Sequence, residues 1–330
     1  MNFNMDVSNH DLMIGLDLGG TKILGLVVDR NAQVYARIQV PTPRVSEQIE
    51  NQVLSVLREM LESCSSKGAR IIAIGIGIPG YVNPETGVVI GAGNLGIENL
   101  PLRKIVFDSF SIQTHVVHDV RAAALGETMF GAGRGKNYLG YVNIGTGISV
   151  GLVLDGKIYN GAASRAGEFG HIRITKDGPL CSCGSRGCLE ALASGPAVAG
   201  RINNAILNGR KSLITDLIAN DGAEVKGEIV AEAAKLGDQL ALDVIDETAE
   251  YLALSIGSLI NVLDLESIII GGGLANMGDL LISPIRNKLA KYLLAEYKDN
   301  VSVLPAELGS DSGAIGAAIA SCIELGQQTN

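Results

Sequence analysis

Four residues are spaced to hold a metal: His171, then Cys181, Cys183 and Cys188. One imidazole and three thiolates suit tetrahedral zinc in a closed, structural site. Gly184 and Gly187 let so short a loop curl back on itself. Two carboxylates, Glu168 and Glu190, flank these ligands. A metal-fixed loop would hold both in place, and carboxylates accept hydrogen bonds well from a polyhydroxyl ligand. A second set suits phosphates. In Asp17-Leu18-Gly19-Gly20-Thr21-Lys22 the glycines allow close backbone approach to an anion, and Thr21 and Lys22 add donors. Asp17 can hold Mg²⁺ through water. Gly145-Thr146-Gly147 offers a second turn of the same kind.

His118-Asp119 ends the apolar run Val116-Val117, just ahead of a helical segment. That is where open α/β sheets present their ligands. Asp119 there can take the proton of an attacking hydroxyl, or simply cap the helix. Gly271-Gly272-Gly273 follows Ile268-Ile269-Ile270 and could let an adenine or ribose lie flat. Gly91-Ala92-Gly93-Asn94-Leu95-Gly96 has the letters of a dinucleotide fingerprint. It runs into a loop-like Ile97-Glu98-Asn99-Leu100-Pro101 instead of a helix, so that reading is set aside. Asn94 is expected to bind a ligand hydroxyl instead.

The elements that must position these residues are partly legible. Three antiparallel strands are expected over 12–40, a helix over 44–67, a buried strand over 70–77 and a helix over 121–130. Helices are expected over 228–262, a strand over 266–273 and a small-residue helix over 312–325. Residues 17–29 lie over 143–155 without gaps, with identity at Gly19/Gly145, Gly25/Gly151, Leu26/Leu152, Val27/Val153 and Asp29/Asp155. This echo points to two related units whose Gly turns face one cleft.

Composition sets the class. The 330 residues are 47% hydrophobic and 18% charged, as a globular chain of about two domains should be. A net charge of −9 with no basic block argues against nucleic acid. No signal-peptide core and no long apolar run is found, so a cytoplasmic protein off the membrane is expected. In a reducing compartment three clustered cysteines favour a metal over disulfides.

DLGGTK, the NIGTG echo, AGEFGH (166–171), CSCGSRGCLE (181–190) and IIIGGG together resemble the ROK family of repressors, open reading frames and sugar kinases. The resemblance runs from about Ile14 to the last helix. It implies a two-domain actin/hexokinase-like (ribonuclease H-like) α/β fold with a central cleft. The small domain would span 1–120 and the larger 121–311, with the helix 312–330 packing back on the first. ATP would lie in the cleft and a hexose deeper, near the hinge. Asp119 matches the general base. Glu168, His171 and Glu190 match sugar-contacting residues, with His171 also on zinc. Asp17, Gly19, Gly20 and Thr21 match the first phosphate motif, Gly145, Thr146 and Gly147 the second, and Gly272 and Gly273 the adenosine motif. Homodimers or homotetramers are typical.

One departure concerns the sugar. Many family kinases carry Asn before the catalytic Asp, where this chain has His118. The base is kept, so the chemistry is expected to survive while the identity of the hexose stays open. Repressors of the family carry a DNA-binding segment ahead of the first phosphate motif, and only 16 residues precede Asp17. A sugar-binding sensor without kinase activity is the alternative reading.

Overall fold

The computed structural model describes residues 11–45, 47–221 and 224–328. β1 (Asp11–Leu18), β2 (Lys22–Val28) and β3 (Val34–Pro41) form an antiparallel meander. Helix α1 (Glu47–Ser65) leads back to β4 (Arg70–Ile78), parallel to β1. A small sheet follows, of β5 (Tyr81–Val82), β6 (Val89–Ala92) and β7 (Ile97–Leu100). Then α2 (Leu102–Phe110) returns to β8 (Thr114–His118) beside β4. In the order β3-β2-β1-β4-β8 the middle strand is β1. It is apolar almost throughout because both its faces are covered. Leu12, Ile14, Leu16 and Leu18 pack with Ile49, Val53, Leu57 and Met60 of α1, and Met13 packs with Ala314, Ile315 and Ala318.

Helix α3 (Asp119–Phe130) leads to the second sheet of β9 (Leu139–Ile144), β10 (Ile148–Leu154) and β11 (Lys157–Ile158). The metal-ligand loop comes next, then α4 (Leu189–Ala193), α5 (Gly195–Leu207), α6 (Ile214–Asp221), α7 (Gly227–Lys235) and α8 (Gln239–Leu263). β12 (Ser267–Gly271), α9 (Asp279–Leu289), β13 (Ser302–Pro305) and α10 (Ser312–Gln328) complete the described chain. The order β11-β10-β9-β12-β13 repeats that of the first sheet, with the same parallel and antiparallel pairings. The sequence echo is therefore a structural duplication, but not a gapless one. Leu18 pairs with Ile23 and leaves 19–22 to turn, while Ile144 pairs with Ile148 and leaves only 145–147. The second turn is one residue shorter, so Gly25 faces Leu16 while Gly151 faces Tyr141.

Two helices join the halves. α10 lies on the first sheet; α3 lies on the second through Val120 and Ala124 against Leu139, Tyr141 and Val153. They pack on each other through glycine. A Cβ on Gly316 would stand 1.7 Å from the Ala122 carbonyl oxygen, so no larger residue permits this approach. Beside this crossing Glu127 is fully buried. Its carboxylate accepts from Ala132 N (2.9 Å), Glu307 N (3.1 Å), Leu308 N (2.9 Å) and Ser312 Oγ (2.8 Å). The segment leaving α3 and the segment entering α10 are thus tied to one side chain. Among the described residues no helix is long and apolar enough to cross a membrane.

Candidate active site

A cleft of about 1130 Å³ is lined by both halves. Asp17, Thr21 and Lys22 reach it from the first turn, Gly145 and Thr146 from the second, Asp119 from the start of α3, and Gly272 and Gly273 from behind β12. Gly19, Gly20 and Gly147 belong to the same turns without lining the cavity. Four helices begin on this cleft: α3 at Asp119, α5 at Gly195, α7 at Gly227 and α10 at Ser312. The first turn of a helix has backbone N–H groups without partners inside the helix and carries the positive end of its dipole. These helix starts favour an anion, within a cleft whose charged side chains are Asp17, Asp119, Glu224 and Glu228 with Lys22 and Lys226. α5 is fastened to the second turn, because Gly195 N donates to the Gly145 carbonyl at 2.8 Å. Sequence reading missed α5, although Ser194-Gly195-Pro196 carries a start signal, a capping Ser followed by Pro in the first turn.

Asp17 and Asp119 face each other closely enough to interact. Burial, and then the charge of Asp119, push the Asp17 carboxyl up to about 7, with Lys22 opposing. Two carboxylates in a poorly solvated site with one lysine form a donor set that a hard divalent cation would satisfy. Asp119 Oδ1 accepts from Val120 N at 2.7 Å. It lies 3.2 Å from His118 Nδ1, outside hydrogen-bonding geometry, and that buried nitrogen has no partner. Burial holds His118 below its ordinary pKa, against the pull of Asp119, so the ring is neutral at pH 7.

Glu168 lies near enough to His118 for its charge to act on the ring. Its placement is dictated by Gly167, whose φ of +103 and close seating on β10 exclude any side chain: a Cβ there would lie 2.1 Å from the Val150 carbonyl oxygen. Arg121 fixes the preceding loop. Buried one residue after Val120, it donates to Asn160 Oδ1 (3.2 Å), Ser164 O (3.0 Å) and Ala166 O (2.9 Å). Arg121 and Tyr81, whose hydroxyl feels the charge of Glu168, were both missed from sequence. For Arg121 the only signal is a lone cation inside the apolar run Val120-Ala124.

The metal ligands converge. The ligand atoms of His171, Cys181, Cys183 and Cys188 all lie within 4.8 Å of one another. Cys183 Sγ and Cys188 Sγ are 3.7 Å apart, and Cys181 Sγ lies 3.6 Å from His171 Nδ1. A tetrahedral zinc with Zn–S of about 2.3 Å requires edges of roughly 3.8 Å, so the residues fit that ion. His171 Nε2 points the other way, 3.8 Å from Glu168 Oε2. The metal loop thus reaches Glu168 through His171, His118 stands beside Asp119, and the charge of Glu168 acts on His118.

Glu190 and Asn94 stand beside the two turns. Glu190 accepts from Ile148 N at 3.0 Å and from Ser182 Oγ at 3.3 Å, linking the second turn to the metal loop. The Asn94 amide nitrogen lies beside Gly20, where a Cβ would approach it to 3.6 Å. The glycines around Asn94 form a hairpin and not a helix entry. Gly96 turns the chain at φ 64, and Ile97–Leu100 is strand β7, where a loop was expected.

The duplicated five-stranded sheets, the cleft between them and the crossed helices at their junction are those of the actin/hexokinase-like fold. The chain belongs to the ROK family, which it matches over residues 13–321. A glucokinase from Streptomyces coelicolor is 35% identical over 93% of this chain and 96% of its own length. The ROK family glucokinase of Streptomyces griseus, solved with glucose and AMPPNP, superposes with a TM-score of 0.83 at 34% identity, covering 94% of this chain and 99% of that one. The transcriptional regulator NagC of Escherichia coli is 30% identical over 92% of this chain and 73% of its own. Fold, family and relatives together define a sugar kinase.

Proposed function

We propose that the chain transfers the γ-phosphoryl group of ATP to a hydroxyl of a hexose or hexose derivative, with Asp119 as general base. The observation that carries this is the position of Asp119, which lines the phosphate-turn cleft and adjoins the His118–Glu168–His171 series. Glu168 and His171 orient the sugar hydroxyls, His118 borders them, and Glu190 and Asn94 close the site beside the two turns. Asp119 accepts the proton as the sugar oxygen bonds to the γ-phosphorus and the bond to the β–γ bridging oxygen breaks. ADP leaves. The turns around Gly19-Gly20-Thr21-Lys22 and Gly145-Thr146-Gly147, with the four helix starts, stabilise the charge that spreads over the phosphoryl oxygens. Gly272 and Gly273 leave room for the adenosine.

Mg²⁺ would be held near Asp17 and would neutralise phosphate charge when bound. Zinc on His171, Cys181, Cys183 and Cys188 would be structural, fixing the ring whose Nε2 faces Glu168. The two units, 1–120 and 121–311, would close on substrates and exclude water. We read the protein as a cytoplasmic homodimer or homotetramer that binds neither nucleic acid nor membrane.

The test is ADP release across a panel of hexoses, hexosamines and inositols. Asp119→Asn is expected to cut kcat by about 10²–10⁴-fold while calorimetry still detects sugar binding. Turnover near that of the unaltered protein would overturn the base assignment. A sugar sensor is the second reading, favoured by His118 and by the likeness to NagC. It predicts sugar binding with no ADP release from any acceptor, and a gel shift would show whether DNA is bound.

A further inference from the structure

Tyr81 and Arg165 are distant in sequence and belong to opposite halves, yet they touch. Tyr81 opens β5, whose next residue, Val82, packs into the core of the first sheet. Arg165 stands in the segment that leaves β11 of the second sheet. The Arg165 guanidinium carbon lies 5.2 Å from the centroid of the Tyr81 ring, a cation–π contact. The Glu168 carboxylate lies near enough to the Tyr81 hydroxyl that its charge holds the phenol above its ordinary pKa.

Both partners are supported from behind. Gly80, at φ +92, seats the start of β5 so tightly on β6 that a Cβ would stand 2.1 Å from the Gly91 carbonyl oxygen. On the other side Arg121 grips Asn160, Ser164 and Ala166, and Arg121 feels the charges of both Glu168 and Asp119. The contact thus spans two fixed supports, with Asp119 close behind it. Half-exposed Tyr81 and exposed Arg165 are its outermost members.

We infer that Tyr81 and Arg165 form a latch across the sugar end of the cleft, in which Tyr81 aims the Glu168 carboxylate at the sugar and Arg165 holds the Tyr81 ring in place. Both are positioning residues acting through Glu168, and the inference rests on the sugar-kinase reading. It places the discrimination among acceptors partly on residues that the phosphate motifs do not contain.

The experiment uses the full chain. Tyr81→Phe deletes the hydroxyl beside Glu168 and is expected to raise the sugar KM about tenfold. Its nucleotide KM and kcat should change by no more than about twofold. Arg165→Met should act in the same direction. The double variant should be worse than either single by less than the product of their effects, because Arg165 acts by holding the ring that carries the hydroxyl removed in Tyr81→Phe. The chain has no Trp, so Tyr81→Trp provides a sole indole reporter. Its emission should change with Arg165→Met and on adding hexose, but not with AMPPNP alone. Unmoved sugar KM in both single variants, or an equal rise in nucleotide KM, overturns the latch. Failure of the wild-type chain to phosphorylate any hexose overturns the kinase reading instead. In that case an indole response to hexose retains the latch, and silence to every hexose overturns it too.

Discussion

Asp119 and Asp17 share one problem, which is how to keep two carboxylates near a cleft made for phosphate. The cost falls on Asp17. Its folded pKa of about 7 exceeds the ordinary 3.8, so between those values the unfolded chain gives up a proton that the folded chain keeps. Stability from this group is complete below pH 4 and is lost as pH rises through 7. Asp17→Asn should therefore melt at the same temperature as wild type at pH 4 and at a higher one at pH 8. Adding Mg²⁺ should narrow that gap at pH 8, which differential scanning fluorimetry would read. An unchanged gap would remove Asp17 from the proposed cation site. At this scale the sequence was legible where chemistry follows from spacing. The His171 and Cys cluster was readable because its ligands fall within a short stretch. Arg121, Tyr81 and Glu127 were not, because their partners are backbone groups or side chains far along the chain. Glu127 looks like a surface acid on an Ala-rich helix until residues 180 positions away donate to it.

The metal loop has little else to hold its shape. Its apolar residue Leu180 is exposed, and apart from the metal ligands it is held by backbone pairing: the isolated bridges Arg173–Cys188 and Leu180–Arg186, and turns such as Cys181 N to Ser185 O at 2.8 Å and Gly187 N to Pro179 O at 3.0 Å. Cys181→Ser should lower bound zinc well below one equivalent per chain, read by atomic emission, and should raise the sugar KM through loss of His171 and Glu168 placement. Nucleotide affinity, measured by AMPPNP calorimetry, should survive, since the phosphate turns stand on the sheets. Equal loss of both affinities would show that the loop supports the whole cleft. The strands of both meanders and helices α1, α3, α8 and α10 were legible from periodicity and composition, and the duplication from five matched positions; α2, α4, α5, α6 and α9 were not read. The hairpin register was not. A turn shortened by one residue leaves the same letters in the same order, and only the strand pairing reveals the shift. The convergence of four helix starts was equally hidden, because it depends on how the two sheets face each other.

At the scale of the molecule, Glu127 fastens the two segments about which the halves would move. Glu127→Ala would leave buried N–H and O–H donors unpaired, at about 1–3 kcal/mol each. A fall in melting temperature is expected. Small-angle scattering should also find a smaller contraction on adding hexose plus AMPPNP than in wild type. A variant that melts lower yet contracts fully would make Glu127 a purely local brace. The position of α10 bears on how the protein is made. One face of the first sheet, with Met13, Leu24, Leu26, Val28 and Ala73, is covered by Ala314, Ile315, Ala318 and Ile319 of α10, with Leu125 and Phe130 of α3 packed at its border. Everything from β1 to β8 therefore emerges from the ribosome well before its own cover, while the second sheet is built from one unbroken stretch of chain. A nascent chain halted after β13 would carry a finished second half and an open, sticky first half. Such arrested chains should recruit chaperones that recognise greasy strands, and should be released from them once residue 319 is outside the tunnel.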